Sequence, residues 1–237
     1  MYMKNFDEEV LLRFARLELI RGEWRRYKED LTQPGESVQA DPNLTTFNIA
    51  AVNVEENDQR SPIKYEIPPG IVREVDPSQT YQRQLNEQSL VLDICNLQDG
   101  DARAAYKNVQ FDVRTYKKLK MFVHAEEELK TVPLKDQDLT LFVRLGTDFV
   151  DNYYEYELPL NLTQWGATLP EDIWPESNNM EIVFDDLLSL KKKRNDLIDG
   201  GSTSVSYVIE YSQVDPANPK RKIKVKGNIF VTDLHME

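Results

Sequence analysis

Hydrophobic and polar side chains alternate along much of the chain with a period of two residues. In the segment 139–145 (LTLFVRL), Leu139, Leu141, Val143 and Leu145 share one face. Successive side chains of a strand point to opposite faces, so this period is typical of a half-buried β-strand. Alternating or continuous apolar runs predict strands at 45–54, 89–96, 118–125, 139–145, 153–160, 205–211 and 223–231. Within 153–160, Tyr154 and Tyr156 are predicted to be core residues, and Pro159 indicates an edge strand or a strand end.

The segment 184–198 (FDDLLSLKKKRNDLI) has a helical period instead. Leu187, Leu190 and Leu197 lie near one stripe, acids come first, bases follow, and two glycines stand just beyond the segment. This order of charges suits the helix dipole, and glycine commonly ends helices. The sequence therefore predicts one helix here. The basic runs 117–118 and 191–194 are interpreted as solvated faces, because each is short and bordered by acids.

Two earlier stretches are less regular. The segment 10–30 fits helical spacing at Val10, Phe14 and Leu17, and its pattern by itself does not exclude a strand. The segment 61–84 contains four prolines and one glycine. Proline removes backbone donors and fixes turns, so this segment is predicted to be ordered without regular structure.

Many strands with a single helix and no βαβ alternation predict a mostly β fold, an antiparallel β-sandwich. We expect an N-terminal strand segment over 1–60 that packs on or leads into the sandwich, a Pro-rich connecting arm over 61–88, and the β-sandwich domain over 89–237. With 237 residues, 40% of them hydrophobic, the chain can bury a sizeable core. The start of the chain lacks the regions of a signal peptide, so an exported protein would contain it as an interior piece.

The charge balance restricts the class of partner. Twenty-nine basic residues against forty-one acidic residues give a net charge of −12. This charge repels phosphate backbones and anionic lipid headgroups at long range. Nucleic acid and membrane-surface partners are therefore disfavoured.

Patterns typical of enzymes are missing from the sequence. It contains no G-x-S-x-G, G-x-G-x-x-G, P-loop or H-E-x-x-H motif. His124 and His235 are isolated, and His124 is predicted to be structural, inside a strand. Cys95, the single cysteine, is predicted to be a small buried filler. We predict that the chain is not an enzyme, and a glycosidase carboxylate pair is the enzymatic alternative.

Two groups of residues are candidate ligand sites. Asp99 and Asp101 flank Gly100 in a pattern like part of a calcium loop, and the alternative is a turn in which Arg103 pairs with an aspartate. Tyr153, Trp165 and Trp174 lie in or beside predicted loops, where aromatic rings can stack on sugars or anchor a protein. The alternative is that these rings are buried and fill the interior beneath the loops. No cofactor is predicted, with calcium as the exception.

Several long strings resemble the SprA family, also called Sov, over nearly the whole chain: FARLELIRGEWRRY (14–27), PPGIVREVDPSQTYQRQLNEQSL (68–90), NLQDGDARAAYKN (96–108), LKMFVHAE (119–126), RLGTDFVDNYYEYELPL (144–160) and WPESNNM (174–180). That family forms the very large outer-membrane translocon of the type IX secretion system, which also serves gliding motility. The resemblance implies that this chain is one soluble domain of such a protein, and it favours a strand for 14–27. The runs 111–126, 138–148 and 153–160 are also similar to galactose-binding-like jelly rolls of carbohydrate-binding modules.

The resemblance implies a non-catalytic scaffold, or contacts with translocon subunits and secreted cargo proteins. The expected location is the outer membrane of a Gram-negative bacterium, on its periplasmic or extracellular face. The parent protein would be embedded in the membrane, while this part is soluble. The alternative function is a carbohydrate-binding module, which would bind a glycan through Tyr153, Trp165 and Trp174.

Overall fold

The structure is a computed structural model, and it describes residues 24–28, 31, 45–75, 77, 84–109, 115–128 and 133–228. Within these ranges the strands are β1 (Arg25–Arg26), β2 (Thr46–Asn53), β3 (Gln88–Cys95), β4 (Ala105–Tyr106), β5 (Lys118–Met121), β6 (Thr140–Gly146), β7 (Tyr153–Pro159), β8 (Met180–Val183), β9 (Tyr211–Asp215) and β10 (Asn218–Lys226). The α-helices are α1 (Val54–Asn57), α2 (Pro170–Ile173) and α3 (Phe184–Asp199), and Glu176–Asn178 forms a 3₁₀ turn.

The described strands pair in an antiparallel manner throughout. Strands β6, β7, β10 and β9 form a four-stranded sheet in that order, and the pairs β1–β4, β2–β3 and β5–β8 form two-stranded sheets. Strands β9 and β10 form a hairpin across a tight turn at Asp215–Asn218. The prediction of a mostly β, antiparallel fold is therefore confirmed.

One face of the four-stranded sheet forms the main core. Val143, Tyr156 and Ile223 stand side by side on β6, β7 and β10, and Leu145, Tyr154 and Val225 form the next such row. Tyr154 and Val225 are fully buried. The core prediction for Tyr154 and Tyr156 is confirmed, because the alternation of β7 turns both rings away from solvent. Pro159 ends β7, which is a central strand and not an edge.

Strand β8 and helix α3 cover this face. Met180 and Ile182 of β8 join Phe184, Leu187 and Leu190 of α3 in the same buried cluster. The helix begins at the predicted residue and ends before Gly200. The interpretation of 191–194 as a solvated face is wrong at its last residue, because Arg194 is fully buried. Leu197, predicted to share the apolar stripe, is 42% exposed, because it lies beyond the end of the sheet contact.

Three strand predictions need correction. Strand β5 ends at Met121, so Val123 and His124 follow it in irregular backbone. Residues 205–210 are irregular, and β9 begins only at Tyr211. Strand β10 begins earlier than predicted, at Asn218, since the tight turn brings it alongside β9 at once. The part of the prediction over 229–231 lies outside the described residues.

Part of the described chain before residue 96 packs in a second buried cluster. Ile63 and Tyr65 form a buried cluster with Ile173 and Trp174. Within the described part of 61–84, an isolated bridge from Val75 to Gln84 is the only strand-like pairing, which agrees with the prediction. Most of 10–30 lies outside the described residues. Cys95 is exposed at the last position of β3, contrary to the prediction of burial, because the two-stranded sheet leaves its end uncovered.

Candidate functional site

An apolar surface borders strand β9, which is one edge of the four-stranded sheet. We call it the β9 edge surface, and it consists of the exposed side chains of Tyr207, Val208, Ile209 and Val214. Val208 is 77% exposed and Ile209 is 54% exposed. An edge strand presents unpaired backbone groups, and exposed apolar residues beside such an edge are typical of contacts with another chain.

The segment that carries this surface is anchored at Tyr207. Its carbonyl oxygen accepts a hydrogen bond from the backbone N–H of Gly227 at 2.8 Å. Its ring centroid lies 5.0 Å from the guanidinium carbon of Arg194. Helix α3 and the end of β10 therefore fix the segment, although it forms no regular strand and leaves Val208 and Ile209 exposed.

A second apolar surface lies on the Pro-rich arm. We call it the arm surface, and its exposed members are Ile71, Val72, Val75 and Leu85. The backbone N–H of Leu85 donates to the carbonyl of Glu74 at 2.7 Å. Arg73 braces the same backbone, since its Nε donates to the carbonyl of Leu85 at 2.8 Å. The described residues 73–74 and 85, which flank or carry this surface, are therefore held together by hydrogen bonds.

The face of the four-stranded sheet opposite the core carries a row of paired charges on β6, β7 and β10. Glu155 stands between Arg144 and Lys224 on the neighbouring strands, and its oxygens lie 2.5 Å and 3.0 Å from their nitrogens. Lys224 also pairs with Glu157 and Glu210. Burial lowers the pKa of Lys224, but the three carboxylates outweigh it and raise that pKa above its usual range. Each carboxylate of this row is thus engaged by a base.

His124 joins three segments through hydrogen bonds. Its Nδ1 lies 2.7 Å from the carbonyl oxygen of Ile173, and its Nε2 lies 3.3 Å from a carboxylate oxygen of Glu126. The hydroxyl of Thr163 lies 3.1 Å from Nδ1 and donates to the same carbonyl. A carbonyl oxygen only accepts, so Nδ1 carries a proton and is not a base for the Thr163 hydroxyl. The side chains of His124, Glu126 and Thr163 therefore lie as close together as those of a catalytic triad. The ring nitrogen nearest the Thr163 hydroxyl carries a proton, however, and so cannot accept one from it.

The three aromatic residues predicted as a ligand platform have different surroundings. Tyr153 is buried in β7 under the guanidinium of Arg144, whose carbon lies 3.9 Å from the ring centroid. Trp174 is also buried, in the cluster with Tyr65. Trp165 is 38% exposed. The fold thus leaves Trp165 as the member of this set with an exposed ring.

The predicted calcium residues lie in a turn after β3. The carboxylate of Asp101 accepts from the backbone N–H of Ala102 at 2.9 Å and from Nη1 of Arg103 at 2.6 Å. This is the arrangement of the turn alternative. Among the residues that the structure describes, no group of three or more His, Cys, Asp or Glu side chains could hold a metal ion. Calcium binding by Asp99 and Asp101 stays a prediction.

Sequence reasoning did not identify either apolar surface. The alternation at 205–211 predicts a strand, whereas Tyr207, Val208 and Ile209 lie outside the sheet and stay exposed. Ile71 and Val72 directly follow Pro68-Pro69-Gly70. Apolar β-branched residues immediately after such a turn have no regular element to bury them, and this was the signal available for the arm surface.

Comparison with known protein families gives a match over almost the whole chain. A family model described as motility related/secretion protein matches residues 1–235. No curated protein matches the chain. In the part of the chain that the structure describes, no helix combines the length and the apolar composition needed to span a membrane.

Proposed function

Because the chain belongs to the SprA_N family of motility-related secretion proteins, we propose that it is a non-catalytic domain of a large outer-membrane translocon. The translocon would be that of type IX secretion and gliding motility, in a Gram-negative bacterium. The domain acts as a scaffold that contacts other subunits or secreted cargo, on the periplasmic or extracellular face of the membrane.

The β9 edge surface is the observation that supports a contact role most directly. Val208 and Ile209 remain exposed although Tyr207 is anchored, so their exposure does not result from a loose segment. Burying both side chains would remove apolar area from water and so stabilise a complex. The paired charges around Glu155 do not offer a comparable apolar contact.

The proposal also includes a specific type of β-sandwich for this domain. The four-stranded sheet, with β8 and α3 packed on one face, is compatible with a galactose-binding-like sandwich whose second layer is small. Fold does not decide function, so this likeness favours no particular ligand. A glycan-binding role would depend on Trp165, because Tyr153 and Trp174 are buried.

Site-specific photo-cross-linking in the intact translocon tests the contact role. A photo-reactive residue at Val208 should give a discrete cross-linked product with a subunit or a passenger. The same residue at Lys192, on the exposed side of α3, is the matched control and should give none. Cross-links of equal yield at both positions would contradict a specific contact at the β9 edge surface.

A secretion assay gives an independent test. Val208→Glu changes an exposed side chain, so it should leave the melting temperature within about 2 °C of the parent. We expect secretion and gliding to fall in this variant, while Lys192→Glu has no effect. Normal secretion in Val208→Glu, in Val72→Glu and in the double variant would contradict the proposal.

A glycan array tests the alternative function, which is carbohydrate binding. Saturable sugar binding that is abolished by Trp165→Ala would support the carbohydrate-binding alternative and argue against the translocon contact as the main role. Absence of binding on the array, together with a cross-link at Val208, is the result that we expect.

A further inference from the structure

Strand β9 has one open side in the four-stranded sheet. It is the last strand of that sheet, and β10 is its neighbour. Among the described segments, β10 alone makes backbone hydrogen bonds with 211–215. Successive residues of a strand direct their N–H and C=O groups to opposite sides, so a share of these groups in β9 points away from β10. Those groups are open to a further strand.

The residues of β9 do not protect this open side. Proteins commonly guard an edge strand with lysine, proline or a bulge within the strand. The sequence of β9 is YSQVD, without lysine or proline, and Ser212 and Val214 are exposed. The shift of its register with β10 lies between Asn218 and Lys222, so it is β10 that carries the irregularity. Strand β9 therefore presents a regular edge.

The other edge of the sheet, β6, is bordered differently. No apolar residue of the described segment 135–146 is exposed. Beside β9, in contrast, Val214 is 47% exposed, and Val208 and Ile209 of the β9 edge surface precede the strand. A strand added at β9 can cover these side chains, and the removal of apolar area from water stabilises such a complex. The open edge and the exposed apolar side chains thus coincide at β9.

A lysine borders the open edge on the face of the sheet opposite the core. Lys222 of β10 stands directly beside Val214 in the register, and its side chain is exposed. Its other cross-strand neighbour, Glu157 of β7, pairs with Lys224 instead. Glu210, just before β9, is also engaged by Lys224. The positive charge of Lys222 is therefore available to a carboxylate that approaches along the β9 edge.

A second lysine borders the same edge on the core face. Lys193 of α3 is exposed, and its Nζ donates to the side-chain oxygen of Gln213 at 2.8 Å. Side chains at 213 and 214 point to opposite faces of the sheet, so the two lysines flank β9 on both faces. The whole chain has a net charge of −12, so this basic border is opposite in sign to the protein as a whole. It attracts carboxylates within about 10 Å, the screening length at 0.1 M salt.

We propose that an extended acidic segment of a partner protein adds to β9 as a fifth strand of the sheet. The proposal rests on the contact role of the β9 edge surface and specifies how the partner binds. The partner backbone pairs with the open N–H and C=O groups, which is the mode of β-strand addition to a sheet edge. Its successive side chains lie on alternate faces. Carboxylates on either face approach Lys222 or Lys193. Apolar residues between them contact Val214.

Amide hydrogen exchange of the full chain, followed by NMR, tests the strand addition. The probe is the peptide acetyl-EVEVEVE-amide at about 1 mM, and acetyl-KVKVKVK-amide is the control of opposite charge. We expect the acidic peptide to slow exchange at least about twofold at those amides of 211–215 that point away from β10, because pairing protects them from water. The lysine peptide should leave their exchange unchanged. No slowing with the acidic peptide, or equal slowing with both peptides, would overturn the proposal.

Three charge-reversing variants of exposed lysines test the acidic character of the partner. At least one of Lys193→Glu and Lys222→Glu should weaken binding of the acidic peptide at least about threefold, because an attracting charge becomes a repelling one. The variant with the larger effect identifies the face that the carboxylates occupy. Lys135→Glu makes the same change before β6, at the other edge of the sheet, and should leave the affinity within about 1.5-fold. Equal affinities in all three variants would overturn the proposal.

These outcomes can be separated from those that test the proposed function. A cross-link at Val208 in the translocon, together with unchanged exchange in β9, would overturn strand addition and leave the contact role intact. Slowed exchange in β9 without a cross-link at Val208 would contradict the role in the translocon and support strand addition.

Discussion

The guanidinium of Arg194 reaches from helix α3 to the carbonyl oxygen of Gly227, 2.7 Å away and 33 residues later in the chain. The ring of Tyr207 covers the same guanidinium. Arg194 therefore joins the helix, the end of β10 and the segment that leads to the β9 edge surface. Burial lowers the pKa of Arg194, although a guanidinium stays charged at any pH at which the protein folds.

Arg194→Ala should lower the free energy of unfolding by about 2–4 kcal/mol, because it removes packed side-chain volume and leaves a buried carbonyl without its partner. Lys192→Ala, two residues earlier on the exposed side of the helix, should change it by less than about 0.5 kcal/mol. Urea unfolding of the two variants measures the difference. Equal losses would mean that Arg194 does not join these segments.

Gly227→Ala should be more harmful than Gly70→Ala. Both glycines have a positive φ, 74° and 81°, so each substitution strains the backbone by about 1–2 kcal/mol. A Cβ at Gly227 would also lie 2.1 Å from the carbonyl oxygen of Asp151, whereas a Cβ at Gly70 meets nothing within 4 Å. Thermal melts of the two variants measure the excess. A melting temperature for Gly227→Ala equal to that of Gly70→Ala would contradict the close approach.

Asp148 should make the stability depend on pH in the acid range. Burial raises its pKa, but hydrogen bonds from the side chain of Asn152 and from the backbone N–H groups of Asp151, Asn152 and Val150 outweigh this and bring the pKa below its ordinary 3.8. A carboxylate with a depressed pKa in the folded state stabilises the fold above its unfolded pKa of about 3.9, and this contribution is lost as the pH falls through the lower folded value.

Asp148→Asn removes this titration. Urea midpoints measured from pH 7 to pH 2.5 should show the variant less stable than the parent at pH 7, and the gap should narrow below about pH 4. A gap that stays constant down to pH 2.5 would show that the loop between β6 and β7 does not depend on the ionised carboxylate.

The two tryptophans predicted as ligand contacts should respond differently to a quencher. Trp174 is 7% exposed and donates from Nε1 to the carbonyl of Glu66 at 2.8 Å, whereas Trp165 is 38% exposed. We expect acrylamide to quench a variant that retains only Trp165 several times more strongly than one that retains only Trp174. Trp174→Ala should also cost about 3–5 kcal/mol, while Trp165→Ala costs less. Equal quenching would contradict the burial of Trp174.

Local sequence patterns were sufficient to predict those strands and helices whose own residues have a clear period. The alternation of Leu141, Val143 and Leu145 predicted a strand, and the same period placed Tyr154 and Tyr156 in the core. The spacing of Leu187 and Leu190, with glycines after them, predicted α3 almost to its ends. These features depend on the spacing of apolar side chains within one element, which can be read directly from the sequence.

The two exposed apolar surfaces and the burial of single arginines could not be predicted in this way. The run 205–211 has the period of a strand, yet it stays outside the sheet until Tyr211. The groups that hold Tyr207 are Arg194 on helix α3 and Gly227 just after strand β10. Arg194 belongs to a basic run that has the pattern of a solvated face. Arg221 stands in a strand of lysines, and nothing in its neighbours indicates that it is buried.

The sequence by itself determined the β-rich character of the chain, the position of its helix, its acidic charge and its family resemblance. Only the tertiary structure decided which charged groups are buried and which apolar residues stay exposed. The physical reason is that periodicity describes one element at a time. Burial and ion pairing depend on contacts between elements, such as that between Arg194 and Gly227, that lie far apart along the chain.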